Sequence, residues 1–217
     1  MHSIIEFFKN LYNSGFLEHM IHTGGIPVVT FIVFAETGLL VGFFLPGDTL
    51  LFLAGVAAST MGQGGSTYLN IWALNASLWA AAVVGDQVAY FLGYQTGHAI
   101  FTRKDGLFFK KRYADEAHAF YLKNGSWAVV LARFIPVMRT FVPFVAGVAE
   151  MPYFKYLAID TLGGFLWITI MLWAGYLTGA WAEHYLHIIL PLIAVVSMTP
   201  VAIMIVKQFF AARAVVK

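Results

Sequence analysis

Two arginines and two prolines interrupt an otherwise apolar run, Ala132 to Gly147, which reads ARFIPVMRTFVPFVAG. Arg133 and Arg139 carry permanent charge, and a planar guanidinium fork matches the oxygens of a phosphate. An arginine at bilayer depth costs about 2.5–3.5 kcal/mol on insertion scales, so such a residue faces a cavity lined by protein or water. Pro136 and Pro143 remove backbone donors, and broken backbone at that depth is tolerated only where protein or water satisfies it. The run therefore reads as a re-entrant, anion-facing element. Residues 26–60 hold the complementary groups, Glu36 and Asp48, with a turn signal at Pro46-Gly47 between them. Carboxylates can change charge where arginines cannot. Desolvation raises a carboxyl pKa and a nearby arginine lowers it, so a carboxyl poised between the two can carry a proton.

What must position these residues is a membrane fold. Of 217 residues, 60% are hydrophobic and 11% charged, against roughly 25% charged in soluble domains. So few charges could not coat a soluble globule, and the length suits a single membrane domain, 1–217. A net charge of +2 is too small to suggest nucleic acid as a partner. The absence of cysteine excludes disulfides and thiolate chemistry. No cleavable signal peptide is expected, because Glu6 and Glu18 lie near the start without a small-residue cleavage site after an apolar core.

Along the chain, residues 1–24 read as an amphipathic surface helix, with Ile4, Ile5, Phe8, Leu11 and Tyr12 at helical spacing and Gly24-Gly25 closing it. Residues 26–60 are too long for one span of about 20 residues and too short for two with a turn. They are expected to form re-entrant hairpin 1. A Gly/Ser-rich loop at 61–69 leads into a span, 70–100, that carries Asp86 and, four residues on, Tyr90 as supporting polar groups, Asp86 either holding a hairpin or belonging to a proton path. The loop 101–125 holds Arg103, Lys104, Lys110, Lys111, Arg112 and Lys123 and is cytoplasmic by the positive-inside rule. Re-entrant hairpin 2 follows at 126–150, then spans at 153–181 and 185–206 and a basic tail, 207–217. If 126–150 crossed the membrane, Lys207, Arg213 and Lys217 would end outside; a re-entrant hairpin returns them to the cytoplasm.

Other polar residues carry less. Glu150 and Asp160 read as interfacial, as do His19, His22 and the His184–His187 pair beside Glu183. Tyr68, Trp72, Trp181 and Tyr185 read as interfacial anchors. No metal site, catalytic set or cofactor is expected. Six residues apart, the arginines would not share a face of an unbroken helix; a break at Pro136 lets them converge.

Two short strings recur in the same order. Ala54-Gly55-Val56-Ala57 returns as Ala146-Gly147-Val148-Ala149, and Gly93-Tyr94-Gln95-Thr96-Gly97 as Gly175-Tyr176-Leu177-Thr178-Gly179. Each copy is a hairpin followed by one span, so the second copy must be inverted. Inverted repeats with broken helices meeting near the midplane are an architecture of secondary transporters. The fold expected is all-α: an N-terminal amphipathic helix, two opposed re-entrant helical hairpins in an inverted repeat, and three transmembrane helices.

These pieces resemble the DedA family, the membrane proteins that share the VTT (SNARE-associated Golgi protein) domain. The resemblance rests on Glu36, FLPGD at 44–48, AG at 54–55, VGDQVAYFLGYQTG at 84–97, ARFIPVMRTFVPFVAG at 132–147 and LWAGYLTG at 172–179. It covers most of residues 26–181. Many members have Glu where Asp48 stands, so the carboxylate is kept and its reach shortened. The resemblance implies translocation of a polyprenyl phosphate or phospholipid, coupled to the proton or sodium gradient. Members similar to this chain are linked to recycling undecaprenyl phosphate across the bacterial inner membrane. On the family pattern the acidic positions fall on Glu36 and Asp48, and the essential arginines on Arg133 and Arg139.

The chemistry of the residues leads to a compatible mechanism. Without lipid, the carboxylates neutralise the arginines; a phosphate headgroup displaces them, and their protonation relieves the repulsion. One charge moved through about 100 mV is worth about 2.3 kcal/mol, enough to bias transport. The competing reading is a proton- or sodium-coupled antiporter of small cations or drugs, whose cargo the arginines would repel. An enzyme is not expected, since no histidine lies in an apolar core to serve as general base.

Overall fold

The computed structural model describes residues 14–39, 47–63, 69–102, 133 and 136–215, and among them every regular element is a helix. Five helices follow in order: α1 (Ser14–Gly38), α2 (Gly47–Gln63), α3 (Ile71–Thr102), α4 (Pro136–Val148) and α5 (Tyr153–Val215). Pro46, Tyr68, most of the basic segment 101–125 and the start of the expected surface helix lie outside the described residues.

The N-terminal boundary differs from the expectation. The Gly24-Gly25 pair bends the helix instead of ending it, with Gly25 at φ 54°. That backbone is open to glycine without strain. Pro27 falls in the first turn of the half-helix that restarts there, where a missing N–H costs nothing. The apolar stretch consequently begins at His19, not Ile26, and His19–Gly38 is long and apolar enough to cross a membrane. So is Tyr153–Gly179. By contrast α2 and α4 are short, at 17 and 13 residues. At 1.5 Å per residue they reach about 26 and 20 Å, against about 30 Å of hydrocarbon.

Helix ends follow local chemistry. Asn70 caps α3, its side-chain oxygen accepting the N–H groups of Trp72 (2.9 Å) and Ala73 (3.2 Å). At the end of α4, Glu150 takes a left-handed backbone (φ 52°), while Glu150 N–H reaches Gly147 and Met151 N–H reaches Ala146. This paired closure satisfies the last carbonyls and turns the chain into α5. α5 runs through the link expected near 182–184; its bend falls earlier, at Gly179 (φ 45°). The reason is the same as at Gly25, since only glycine enters that region freely.

The recurrent strings meet across the fold. A β-carbon on Gly55 would overlap the carbonyl of Leu172 and crowd Tyr176 N; one on Gly147 would overlap the carbonyl of Tyr90 and crowd Tyr94 N. Gly175 likewise presses on the Phe52 carbonyl and Gly93 on that of Phe144. Each contact in one set has its counterpart at the equivalent position in the other. Thus α2 crosses α5, and α4 crosses α3, backbone against backbone. Small residues at such crossings let apolar helices pack where the hydrophobic effect cannot drive them together. Leu50, Leu53, Leu74, Leu78, Trp167 and Leu172 fill the main core. Phe31, Phe154 and Leu177 point outward, as a lipid-facing surface requires.

Candidate functional site

Arg139 sits in the first turn of α4, which Pro136 opens. Proline suits that position because the first N–H groups of a helix have no intrahelical partner. Pro143 cannot donate to the carbonyl four residues back, which belongs to Arg139. The guanidinium donates from Nη1 to Asp48 and from Nη2 to Glu36. Asp48 lies in the first turn of α2 and Glu36 at the end of α1. All three are buried, at 6%, 6% and 1% exposure for Arg139, Asp48 and Glu36. Gly47 makes room: any side chain there would overlap Glu36 Oε2.

Trp167, which the sequence reading passed over, completes this network. Its Nε1–H donates to Asp48 Oδ1 at 2.9 Å, and its ring lies 4.4 Å beneath the Arg139 guanidinium. Ring and cation attract each other electrostatically. The first turns of α2 and α4 therefore share one ion-pair network, and helix N-termini favour anions. Arg139 Nε, Thr140 Oγ1 and Glu36 Oε2 are buried with no hydrogen-bond partner.

Arg133 does not join Arg139. It donates from Nη2 to Asp86 of α3 and, at 2.6 Å, to Asp160 of α5. The expected convergence of the arginines on one ligand is replaced by two separate carboxylate–arginine–carboxylate sets. Arg133, ahead of α4, reaches α3 and α5, while Arg139, within α4, reaches α1 and α2. Asp160 is likewise not interfacial but fully buried. Its Oδ1 accepts from Tyr156 O–H at 3.1 Å, and its Oδ2 accepts from Gln87 Nε2 at 3.1 Å. Asp86 thus serves as an ion-pair partner. Tyr90 does not bond it; the Tyr90 hydroxyl donates to the Met151 carbonyl, and its ring stacks 4.7 Å from Tyr156.

A signal for the missed residues was present. Tyr156, Asp160 and Trp167 are spaced by four and seven, one face of a helix. Glu150, His19 and His22 are exposed, as are Trp72, Trp181 and Tyr185. The side chains of Glu183, His184 and His187 lie outside the described residues. Among the described residues, no group of three or more metal-ligating side chains comes together.

A domain model, the VTT domain, matches residues 45–177. An uncharacterized membrane protein of Mycobacterium leprae (strain TN) is 44% identical over 154 residues, 71% of this chain and 66% of that protein. Protein DedA of Escherichia coli (strain K12) is 38% identical over 192 residues, 88% of this chain and 86% of its own. The inner membrane protein YqjA of the same strain is 32% identical over 154 residues, 70% of this chain and 66% of its own. The chain therefore spans slightly under two thirds of the length of two of these relatives. No solved structure matches it. With the domain covering more than half of its residues, the chain belongs to the DedA family of VTT-domain membrane proteins.

Proposed function

We propose that this chain is a multi-pass translocase of a phosphate-bearing lipid in the bacterial inner membrane, with undecaprenyl phosphate as cargo and the proton or sodium gradient as driver. The observation that carries the reading is Arg139, which reaches from the first turn of α4 to lie buried between Glu36 at the end of α1 and Asp48 in the first turn of α2. A phosphate suits this place. It would take the guanidinium fork, the free Arg139 Nε–H and the Thr140 hydroxyl, with two helix N-termini adding to the attraction. The carboxylates hold the site in the absence of lipid, and their release by protonation couples cargo to the ion gradient.

Two features support the membrane geometry. α2 and α4 are too short to span, a length that suits the arms of re-entrant hairpins. The matched glycine crossings support reading the two halves as copies of one packing unit, inverted in this scheme, with α3 and the first part of α5 as their spans. Such copies rocking about a fixed midplane site give alternating access. The inner-membrane location follows the naming of YqjA. In this scheme Arg133 bridges α3 and α5 and positions the start of α4, leaving Arg139 to meet the phosphate.

Lipid retention by the purified protein tests the reading. Native mass spectrometry is run with undecaprenyl phosphate, with ordinary phospholipids and with no added lipid, beside Arg139→Ala. Selective retention of the polyprenyl phosphate, lost in the variant, is the expected result. Equal, weak retention of every lipid would overturn it in favour of a coupled antiporter of small cations.

A further inference from the structure

We infer that the Asp86–Arg133–Asp160 cluster is a second ion site, distinct from the one at Arg139, and that it binds a proton on Asp86. One guanidinium faces two carboxylates here, and exposure is 3% at Arg133, 1% at Asp86 and nil at Asp160. Fully ionised, the set carries one uncompensated negative charge away from water. Buried charge without a partner is strongly disfavoured, and a carboxyl in that position takes up a proton.

The hydrogen bonds decide which carboxyl it is. Asp160 accepts from three donors, Arg133, Tyr156 and Gln87, which favour its carboxylate form over that of Asp86. Asp86 has one, Arg133 on Oδ2, and its Oδ1 is buried with no partner. Gln87 Oε1 is a second buried acceptor without a partner. The orphan acceptors Asp86 Oδ1 and Gln87 Oε1 outnumber the orphan donor Arg133 Nε, and with the excess negative charge this leaves room for a proton, which on Asp86 turns one orphan acceptor into a donor. The groups around it are Asp86, Gln87 and Tyr90 from α3, Tyr156 and Asp160 from α5, and Arg133 ahead of α4. The Tyr156 hydroxyl lies against Asp160 Oδ1, with the backbone carbonyl of Asp86 a more distant alternative acceptor at 3.5 Å. As a place of coupling this site rests on the translocase reading; as a proton site it does not.

Infrared difference spectra of the purified full-length protein across a pH series read the proton directly, through the C=O stretch of a protonated carboxyl. The expected result is a band lost in Asp86→Asn and kept in Glu36→Gln. Asp86→Glu shifts the band without deleting it, which separates loss of the acid from loss of the fold. Asp160→Asn also removes the band, because one carboxylate against Arg133 leaves no excess charge. A band absent at every pH, or unaffected by Asp86→Asn, overturns the proposal. The series is repeated with sodium and with choline as the only cation; a band that sodium abolishes assigns the site to the metal ion and overturns it too. Lipid retention is measured on the same samples. If wild type retains no phosphate lipid but the Asp86 band is present, the translocase reading fails and the proton site stands.

Discussion

Gly47 and Glu36 occupy adjoining space, so that a β-carbon at position 47 would overlap the Glu36 Oε2 atom. The start of α2 is thereby wedged against the end of α1, and Glu36 is held on Arg139. We predict that Gly47→Ala drives the Glu36 carboxylate away. Overpacking of this kind costs about 1–3 kcal/mol, and Arg139 loses one of its two ion-pair partners. The melting temperature in detergent, followed by tryptophan fluorescence, should fall. An unchanged melting curve together with unchanged lipid retention would show that Glu36 is not seated there.

Arg139→Lys keeps the positive charge and loses the fork. Lysine cannot bond Asp48 and Glu36 in the bidentate way that Nη1 and Nη2 do. A lost charge-assisted hydrogen bond is worth about 1.5–3 kcal/mol, so retention of polyprenyl phosphate should weaken by roughly tenfold or more. Equal retention by the lysine variant would mean that charge alone, not guanidinium geometry, recognises the headgroup.

Trp167→Phe separates the ring from its N–H. The phenyl group still fills the core beneath Arg139, but the 2.9 Å bond to Asp48 is gone. Phenylalanine is also a poorer partner for a cation than tryptophan. We expect a stability loss of about 1–2 kcal/mol in chemical unfolding. Trp167→Leu, which removes the aromatic face as well, should lose more. If the two variants lose the same amount, the stacking contributes nothing.

How much of this was legible in the sequence depends on the kind of signal. Glu36, Asp48 and Arg139 were recognisable because a charge within an apolar run is rare and costly, and the structure joins them. The recurring Gly strings were also visible, and they prove to be the crossings of α2 with α5 and of α4 with α3. Partner choice was not visible. Arg133 and Arg139 look alike in sequence, and only the packing of α3 and α5 around Arg133 assigns it to Asp86 and Asp160. Asp160 reads as interfacial in sequence because it stands near the start of a long apolar run, yet it is fully buried. There the helical stripe it forms with Tyr156 and Trp167 is masked, since an apolar helix shows no contrasting face. Gly24-Gly25 misled for a different reason: a glycine pair marks a bend as readily as an end.

The glycine crossings yield a prediction of sign. In an ordinary helix interior, replacing glycine with alanine stabilises by roughly 0.5–1 kcal/mol, because alanine loses less backbone entropy on folding. At Gly55, Gly175, Gly93 and Gly147 the added methyl would overlap a carbonyl oxygen of the facing helix: Leu172, Phe52, Phe144 and Tyr90 in turn. Backbone cannot step aside as a flexible side chain can, so the helices must separate and their packing loosens. All four alanine variants should therefore destabilise, by about 1–3 kcal/mol. Because Gly55 and Gly147 meet equivalent atoms, their losses should match, as should those of Gly175 and Gly93. Melting temperatures of the four purified variants decide the point. A stabilising effect at any of them would mean that the facing backbones are not in contact, and unequal losses within a pair would remove the physical basis for treating the two halves as copies of one packing unit.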